Sequence, residues 1–516
     1  MNRWTFSKLT VSNVSVLYVV SALTCLIVAD IAVTTLNPWH ELRRLLAGIL
    51  QPDIMSIEVL SIVYTVAFAV LGVGIGAICG FGLAIAYPKF AAVRLICVVI
   101  RSIHELFWAL LLIQVFGLSP VTGILAIALP YTGIFAKVYS EMIEEADLAA
   151  ERVLPVGTSA TSAFAYARLP ELAERFKTYT LYRLECGLRS TLILGFIGLP
   201  TIGFHLESYF KQGNYAQAMA MLGAFYVLIG TRRLWARAAL LPILVVVSLL
   251  VLPETAGGGS VLANLARFLG HDIVPYPLRG AGIFEASTWA SLGSWFWPIL
   301  ATKIVPGAWT TLVVAQIALV CTGIIALAVF PLVSRTFFAR GGQTAGRVAL
   351  VVVRSTPEYM LAYVLLQIFG PSMLPAIIAL AVHNGGIIGY LMGRHADTLD
   401  YRADAPRGVD LYAFETVPRL YGQFMAYMLY RWEIIVRESA IFGILGVRTL
   451  GFHVDGAIAE LRFDVAVVLI AATVLLSAGI DLISRKLRQG LRISILPTRL
   501  ADNPVDRVAG TAGSCR

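Results

Sequence analysis

Apolar runs near or above 18 residues recur along the whole chain, and they restrict its possible folds more than any other feature. About 18 residues is the length that an α-helix needs to cross roughly 30 Å of hydrocarbon. Of the 516 residues, 58% are hydrophobic and 14% are charged, with a mean hydropathy of +0.79. The runs are continuous rather than alternating, which excludes a membrane β-barrel. The sequence therefore predicts an all-α polytopic membrane protein.

The apolar windows predict about twelve transmembrane helices. They fall near residues 13–35, 58–87, 92–116, 120–139, 180–200, 214–231, 236–252, 307–333, 347–369, 372–392, 428–446 and 464–483. The loops between them alternate between basic-rich and basic-poor, and basic loops remain in the cytoplasm. We therefore expect both termini to lie in the cytoplasm. The same distribution explains the net charge of +9 without a nucleic-acid partner.

Two stretches of the sequence occur twice. YRLECGLRSTLILGFIGLPTIGFH at 182–205 recurs as YRWEIIVRESAIFGILGVRTLGFH at 430–453. IRSIHELFWALLLIQVFG at 100–117 likewise matches VRSTPEYMLAYVLLQIFG at 353–370. Each copy holds an even number of predicted helices, so the copies enter the membrane in the same orientation, as two parallel six-helix repeats. We predict a first transmembrane domain at 1–233 and a second at 234–516, which ends in a basic cytoplasmic tail.

The repeated stretches carry charges in apolar surroundings, where charge is costly. On a continuous helix Glu185 and Arg189 would share one face and neutralise each other, as would Arg101 and Glu105. Two interpretations are open: ion pairs that fix helix packing at the membrane border, or a gate or contact for a transported anion. The candidate pathway or gating residues are Arg101, Glu105, Gln114, Arg183, Glu185, Arg189, Arg354, Glu358, Gln367, Arg431, Glu433 and Arg437.

Nothing in the sequence suggests a catalytic or metal centre. It contains no HExxH motif and no Gly-Lys dipeptide, which excludes a zinc-protease motif and a Walker A loop. The glycine-rich segment at 72–82 lies in an apolar span, where small residues let helices approach closely. Gln114 and Gln367, near the outer ends of their helices, fit substrate contact and inter-helix hydrogen bonding equally well. We therefore expect a transport protein without a cofactor of its own.

A loop between predicted spans, at 144–172, reads EEADLAAERVLPVGTSATSAFAYARLPEL. Gly157 follows Glu151 by six residues, and nine residues separate it from the Ala-Arg-Leu-Pro that ends at Pro170. This spacing resembles the EAA loop of bacterial ABC importer permeases. Together with RSIHELFWALLL, YRLECGLRST, GFIGLPTIGF and their second copies, it makes the chain resemble two fused copies of the phosphonate-transporter permease family.

The resemblance implies a transmembrane subunit of an importer for phosphonate or a related phosphorus oxyanion in the bacterial inner membrane. A periplasmic substrate-binding protein would deliver the substrate. A dimer of ABC ATPase subunits, which would bind ATP and Mg²⁺, would dock against a coupling loop on this chain. The coupling-loop residues implied by the resemblance are Glu151, Gly157, Leu169, Pro170 and, in the second copy, Pro418.

The second loop, at 394–420, departs from the family pattern. It is shorter than the first, has Ala405 where the glycine would align, and carries Gly408 out of register. We therefore expect the two docking surfaces to be unequal. A secondary transporter of small anions is the alternative, since parallel repeats also build such carriers. Against it, no ionisable residue lies at the centre of a predicted span to bind a coupling proton.

Overall fold

Helices account for almost all of the regular structure of the protein. The computed structural model describes residues 10–146, 152–155, 157–253, 260–279, 284–402, 404–491 and 493. It is 82% helical, and its described ranges contain no strands. The predicted all-α class is confirmed.

The helices follow one another in the same order in both halves. The first half contains α1 (Val11–Val28), α2 (Pro38–Leu50), α3 (Val59–Ala86), α4 (Ala91–Ser102), α5 (Glu105–Phe116), α6 (Pro120–Glu144), α7 (Leu169–Leu194), α8 (Ile202–Lys211) and α9 (Tyr215–Gly230). The second contains α10 (Leu241–Val251), α11 (Val261–Arg267), α12 (Ala286–Ile299), α13 (Val305–Val329), α14 (Arg340–Ser355), α15 (Glu358–Phe369), α16 (Met373–Ala396), α17 (Val417–Ser439), α18 (Leu450–Ala459) and α19 (Phe463–Leu491). Only α12 lacks a counterpart among the helices of the first half.

The described residues include six helical segments that are long and apolar enough to cross a membrane, or nine if each of three bent pairs counts as one span. The six are Val11–Val28, Val59–Ala86, Pro120–Glu144, Ala286–Val333, Met373–Ala396 and Phe463–Leu491. Two further apolar helices, Tyr215–Gly230 and Ala238–Val251, are shorter. The chain is a multi-pass membrane protein, but the predicted number of twelve spans is not confirmed.

Two predicted spans are broken, and the prediction of single helices at 92–116 and 347–369 was wrong. The chain bends by 96° between α4 and α5 and by 89° between α14 and α15. In the second half Pro357 has no N–H and disfavours a helical conformation in the residue before it. In the first half His104 takes that position, and its Nδ1 accepts a hydrogen bond from the Leu106 N–H at 3.3 Å, which caps the new helix.

Glycines bring α3 close to α6 along its length. A Cβ atom added at Gly76 would lie 2.9 Å from Cβ of Tyr131, and one at Gly80 would lie 2.5 Å from Cβ of Phe135. Residue numbers rise together along both helices, so α3 and α6 run parallel. The bent α4–α5 pair must therefore return the chain across the membrane. The expectation that segment 72–82 serves close helix packing is confirmed.

The first helix of each half packs against the other half. Helix α1 packs against α13 and α10 packs against α3. Gln316 in α13 donates to the Ser21 hydroxyl at 2.8 Å, and Tyr421 in α17 donates to the Ser15 hydroxyl at 2.8 Å. The two halves therefore interlock through exchanged helices.

Reciprocal contacts show that both halves point the same way. Gly117 and Gly370 form equivalent left-handed turns, with φ of 66° and 82°. Thr34, which follows α1, donates to the Phe369 carbonyl at 2.8 Å, and Asn264, in α11, donates to the Val115 carbonyl at 3.3 Å. Both turns thus lie on one face, which we name the turn face. The opposite loop face carries residues 152–168 and 397–416, as expected for parallel repeats.

The α3–α6 contact provides a test of the packing. We expect Gly80→Leu to lower the thermal stability and yield of the purified protein, because its side chain would overlap Phe135. Gly82→Leu is the matched control, since an added Cβ at Gly82 meets nothing within 4 Å. Equal melting temperatures for the two variants in detergent would contradict the close contact.

Candidate functional site

A polar cavity of about 280 Å³ lies between the two halves. Its lining comes from α4 to α7 in the first half and from their counterparts α15 to α17 in the second. Six basic side chains line it: Arg101, Lys137, Arg183, Arg189, Arg431 and Arg437. Four acidic side chains join them: Glu105, Glu358, Glu433 and Glu438. With histidines neutral, the described lining therefore carries a surplus of two positive charges.

The cavity lies at membrane depth. Helix α5 has 12 residues and spans about 18 Å from Glu105 to its end at the turn face. The hydrocarbon core is about 30 Å thick, so Glu105 lies near the middle of the span predicted at 92–116. This corrects the expectation that no ionisable residue lies at the centre of a predicted span. Ionisable residues at such depth normally face a cavity or one another, and here they line one polar cavity together.

Two arginines connect the halves through equivalent hydrogen bonds. Arg189 Nη1 donates to the Arg354 carbonyl at 3.1 Å, and Arg437 Nη1 donates to the Arg101 carbonyl at 3.0 Å. Both carbonyls belong to the last turn of a helix that ends at a break, where carbonyl groups have no partner within the helix. A cation there also opposes the negative end of the helix dipole. Each half thus stabilises the broken helix of the other.

Glutamates occupy the opposite side of each break. Glu105 and Glu358 lie in the first turns of α5 and α15, where the helix dipole favours negative charge. Glu105 accepts a hydrogen bond from the Ser190 hydroxyl at 3.2 Å. Glu358 Oε2 lies 3.8 Å from His383 Nε2. The carboxylates are therefore held at helix starts that face the cavity.

The expectation that neighbouring charges neutralise each other along one helix was wrong for Glu185 with Arg189 and for Arg101 with Glu105. Glu185 pairs with Arg232, at 2.8 Å, while Arg189 reaches the other half. Arg101 and Glu105 belong to different helices separated by the 96° bend, so spacing by four residues does not place them on one face. The helix break, which hydropathy does not reveal, is the physical reason.

Arg183 and Arg431 occupy equivalent positions but have different partners. Arg183 Nε donates to the Tyr179 hydroxyl at 2.8 Å, and its guanidinium lies 5.2 Å from the centre of the Tyr179 ring. Arg431 Nη1 donates to the Asn384 side-chain oxygen at 3.2 Å. Tyrosine thus orients the first arginine and an amide orients the second.

The structure brings most of the predicted pathway residues together. Those that line the cavity are Arg101, Glu105, Arg183, Arg189, Glu358, Arg431, Glu433 and Arg437. Glu185, Arg354, Gln114 and Gln367 are outside the described lining. The Arg354 guanidinium instead stacks over the Tyr390 ring at 4.5 Å. Gln114 and Gln367 are partly buried on α5 and α15, towards the turn face.

Sequence reasoning missed several lining residues. They are His104, Tyr131, Lys137, Ser190, His383 and Glu438. The sequence could have indicated His383, because an ionisable residue within an apolar span suggests a functional site. It could also have indicated Glu438, which follows Arg437 inside the repeated stretch and aligns with Ser190 of the first copy.

The loops of the loop face resemble each other more closely in structure than in sequence. Gly157 and Gly408 both adopt left-handed conformations, with φ of 97° and 64°, although Gly408 is out of register. A π-helical segment follows each glycine, at Phe164–Arg168 and Leu411–Thr416. Equivalent aromatic side chains on these segments, Tyr166 and Phe414, are 82% and 76% exposed.

The other predicted coupling residues flank these segments. Leu169 and Pro170 open α7, and Pro418 occupies the same position at the start of α17. Proline is suited to this position because the first helical N–H groups have no partner within the helix. Glu151 lies outside the described residues.

The chain is similar to known transport proteins over most of its length. The phosphate-import permease protein PhnE of Mycolicibacterium smegmatis is 26% identical over 463 residues, which cover 83% of this chain and 85% of that protein. The phosphite transport system permease protein PtxC of Stutzerimonas stutzeri is 25% identical over 224 residues, which cover 41% of this chain and 81% of that protein.

The chain is homologous to phosphonate and phosphite permeases of ABC importers. A single-copy relative such as PtxC matches less than half of it, in agreement with two fused permease copies. A putative phosphite transport system permease protein of Stutzerimonas stutzeri, HtxE, is 31% identical over 141 residues, 27% of this chain and 54% of that protein. No family model and no solved structure matches the chain. The permease is a transport subunit rather than an enzyme.

The reciprocal arginines give a prediction about stability. We expect Arg189→Gln and Arg437→Gln each to lower the free energy of unfolding by about 1.5–3 kcal/mol, the typical contribution of a hydrogen bond to a charged group. Thermal unfolding of the purified permease measures the effect. Arg448→Gln is the control, since Arg448 is exposed. A loss confined to one of the two arginine variants would contradict the equivalence of the bonds.

Proposed function

We propose that the permease carries a small phosphorus oxyanion, such as phosphonate, phosphite or phosphate, through the cavity between its halves. The observation that carries this proposal is the lining of six basic and four acidic side chains. A surplus of two positive charges complements a doubly charged anion. Arginine also suits phosphoryl oxygens, because its planar guanidinium donates parallel hydrogen bonds.

The size of the cavity supports a small substrate. Pockets for drug-sized ligands measure about 300–1,000 Å³, and this one has about 280 Å³. The names of the relatives, a phosphate-import permease and a phosphite transport permease, support the same chemical class.

The proposed partners fit the two faces of the molecule. A dimer of ABC ATPase subunits, which binds ATP and Mg²⁺, docks on the loop face, with Tyr166 and Phe414 as equivalent anchors. A periplasmic substrate-binding protein docks on the turn face. We propose that the permease lies in the bacterial inner membrane with both termini in the cytoplasm, an orientation that its basic loops support.

Transport by the reconstituted complex tests the substrate and its energy source. We expect proteoliposomes that contain the permease, its ATPase and its binding protein to accumulate radiolabelled phosphite, phosphate or methylphosphonate in an ATP-dependent manner, and not sulfate. Arg183→Gln should reduce uptake by about tenfold or more, as expected when a charge partner of a buried anion is removed. Arg233→Gln, at an exposed position, is the control. Uptake driven by an ion gradient without the ATPase would contradict the proposal.

Association with the ATPase tests the two anchors. We expect Tyr166→Ser and Phe414→Ser each to weaken co-purification of the ATPase by about tenfold, since exposed aromatic residues are frequent anchors of interfaces. Tyr276→Ser is the matched control, because Tyr276 is 71% exposed but belongs to the turn-face segment. If only Tyr166→Ser weakened the association, the result would contradict binding of the ATPase to the second loop.

A further inference from the structure

The two halves contribute very different charges to the cavity, although their folds match. The first half provides four basic groups and one acidic group: Arg101, Lys137, Arg183, Arg189 and Glu105. The second half provides two basic and three acidic groups: Arg431, Arg437, Glu358, Glu433 and Glu438. The positive surplus therefore comes entirely from the first half.

One position accounts for one of the four charges by which the two halves differ. Ser190 in α7 and Glu438 in α17 are equivalent in the repeated stretches, and both line the cavity. Ser190 contributes a neutral hydroxyl, which donates to Glu105. Glu438 contributes a carboxylate, which accepts a hydrogen bond from the Asn384 amide at 3.2 Å.

The carboxylate is coupled to the arginine of its own half. The Asn384 amide donates to Glu438, while its oxygen accepts from Arg431 at 3.2 Å. Asn384 thus bridges an anion and a cation within the membrane. Arg431 is therefore already oriented towards an internal negative group.

The equivalent arginine of the first half has a neutral partner. Arg183 bonds the Tyr179 hydroxyl through Nε, whereas the Asn384 side chain that Arg431 bonds also binds the Glu438 carboxylate. Arg101, which lines the cavity from the first half, has a buried Nε without a hydrogen-bond partner in the described part of the chain. The Nε of its equivalent Arg354 is also unpartnered, but Arg354 lies outside the lining. Buried donors without partners are costly, and an anion bound on the first-half side would satisfy that of Arg101.

We propose that Glu438 is a resident counter-anion that confines the transported oxyanion to the first-half side of the cavity, against Arg183, Arg189 and Ser190. This proposal rests on the proposed function, since it concerns the position of the same anion. A negative ligand is repelled by a nearby carboxylate and attracted by uncompensated guanidinium groups. Substrate binding is then asymmetric, although the scaffold that surrounds it is nearly symmetric.

Exchange of the two equivalent residues tests the role of charge. Binding of radiolabelled inorganic phosphate and phosphite is measured on the full-length permease in nanodiscs. Ser190→Glu should weaken binding by about tenfold or more, since it adds a like charge beside the anion. Glu438→Ser should tighten binding several-fold. Two glutamine variants separate the effect of charge from that of size. Ser190→Gln should weaken binding less than Ser190→Glu does. Glu438→Gln should tighten binding as Glu438→Ser does.

A natural cysteine reports the side on which the anion binds. Cys186 lines the first-half side, one helical turn from Arg189, and its equivalent in the second half is Ile434, which also lines the cavity. The neutral reagent N-ethylmaleimide is applied to two versions of the permease in which all other cysteines are replaced. One retains Cys186, and the other combines Cys186→Ser with Ile434→Cys. Saturating phosphate or phosphite should slow alkylation of the first severalfold and leave the second nearly unaffected.

The outcomes separate this proposal from the proposed function. Equal protection of both cysteine positions, protection on the second-half side alone, or no protection at all would overturn the asymmetric site. So would weaker binding by Glu438→Ser in a variant with an unchanged melting temperature. The proposed function is judged independently by ATP-dependent uptake in the wild-type complex. If uptake of phosphorus oxyanions occurred there while the cysteines showed equal protection, only the asymmetric site would be wrong.

Discussion

A helix that breaks inside a membrane must find partners for the backbone groups that the break exposes, because lipid offers none. The two sharpest breaks among the described residues, of 96° and 89°, lie one in each half. At each break an arginine from the opposite half donates to a terminal carbonyl: Arg189 to Arg354, and Arg437 to Arg101. Each broken helix therefore takes one of its hydrogen-bond partners from the other half. The exchange of α1 and α10 between the halves supports the same conclusion, since both halves have to be present for either to be completed.

The cavity is a consequence of this arrangement. Two helix ends, two helix starts and the arginines that reach them concentrate polar groups at one depth between the halves, where side chains cannot pack as an apolar core. The scaffold obeys the repeat closely, as the left-handed turns at Gly117 and Gly370 show. The chemistry departs from it: the first copy has Ser190 where the second has Glu438, and Arg183 bonds a tyrosine hydroxyl where Arg431 bonds an amide oxygen. A fused chain permits such departures, because each copy can change independently, whereas two identical subunits would have to change together.

Sequence reasoning succeeded where local pattern decides structure. Apolar runs predicted the helices, and the repeat predicted two similarly oriented halves. It failed where the contacts of individual polar side chains decide structure. Spacing by four residues suggested that Arg101 and Glu105 share a helical face, but His104 caps a new helix between them. Glu185 found its partner in Arg232, beyond the repeated stretch. No pattern of hydropathy records either the local cap at His104 or the distant partner of Glu185.

By itself, the sequence determined the all-α membrane class, the duplicated order of helices and the presence of charged residues at equivalent positions, because these depend on composition and periodicity along the chain. Only the tertiary structure decided that the helices break, that the arginines cross between the halves and that eight predicted residues line one cavity. It also decided which half contributes the surplus of positive charge to the lining of the cavity. The physical reason is that the free energy of a buried charge depends on the groups around it in space, and those groups come from distant parts of the chain.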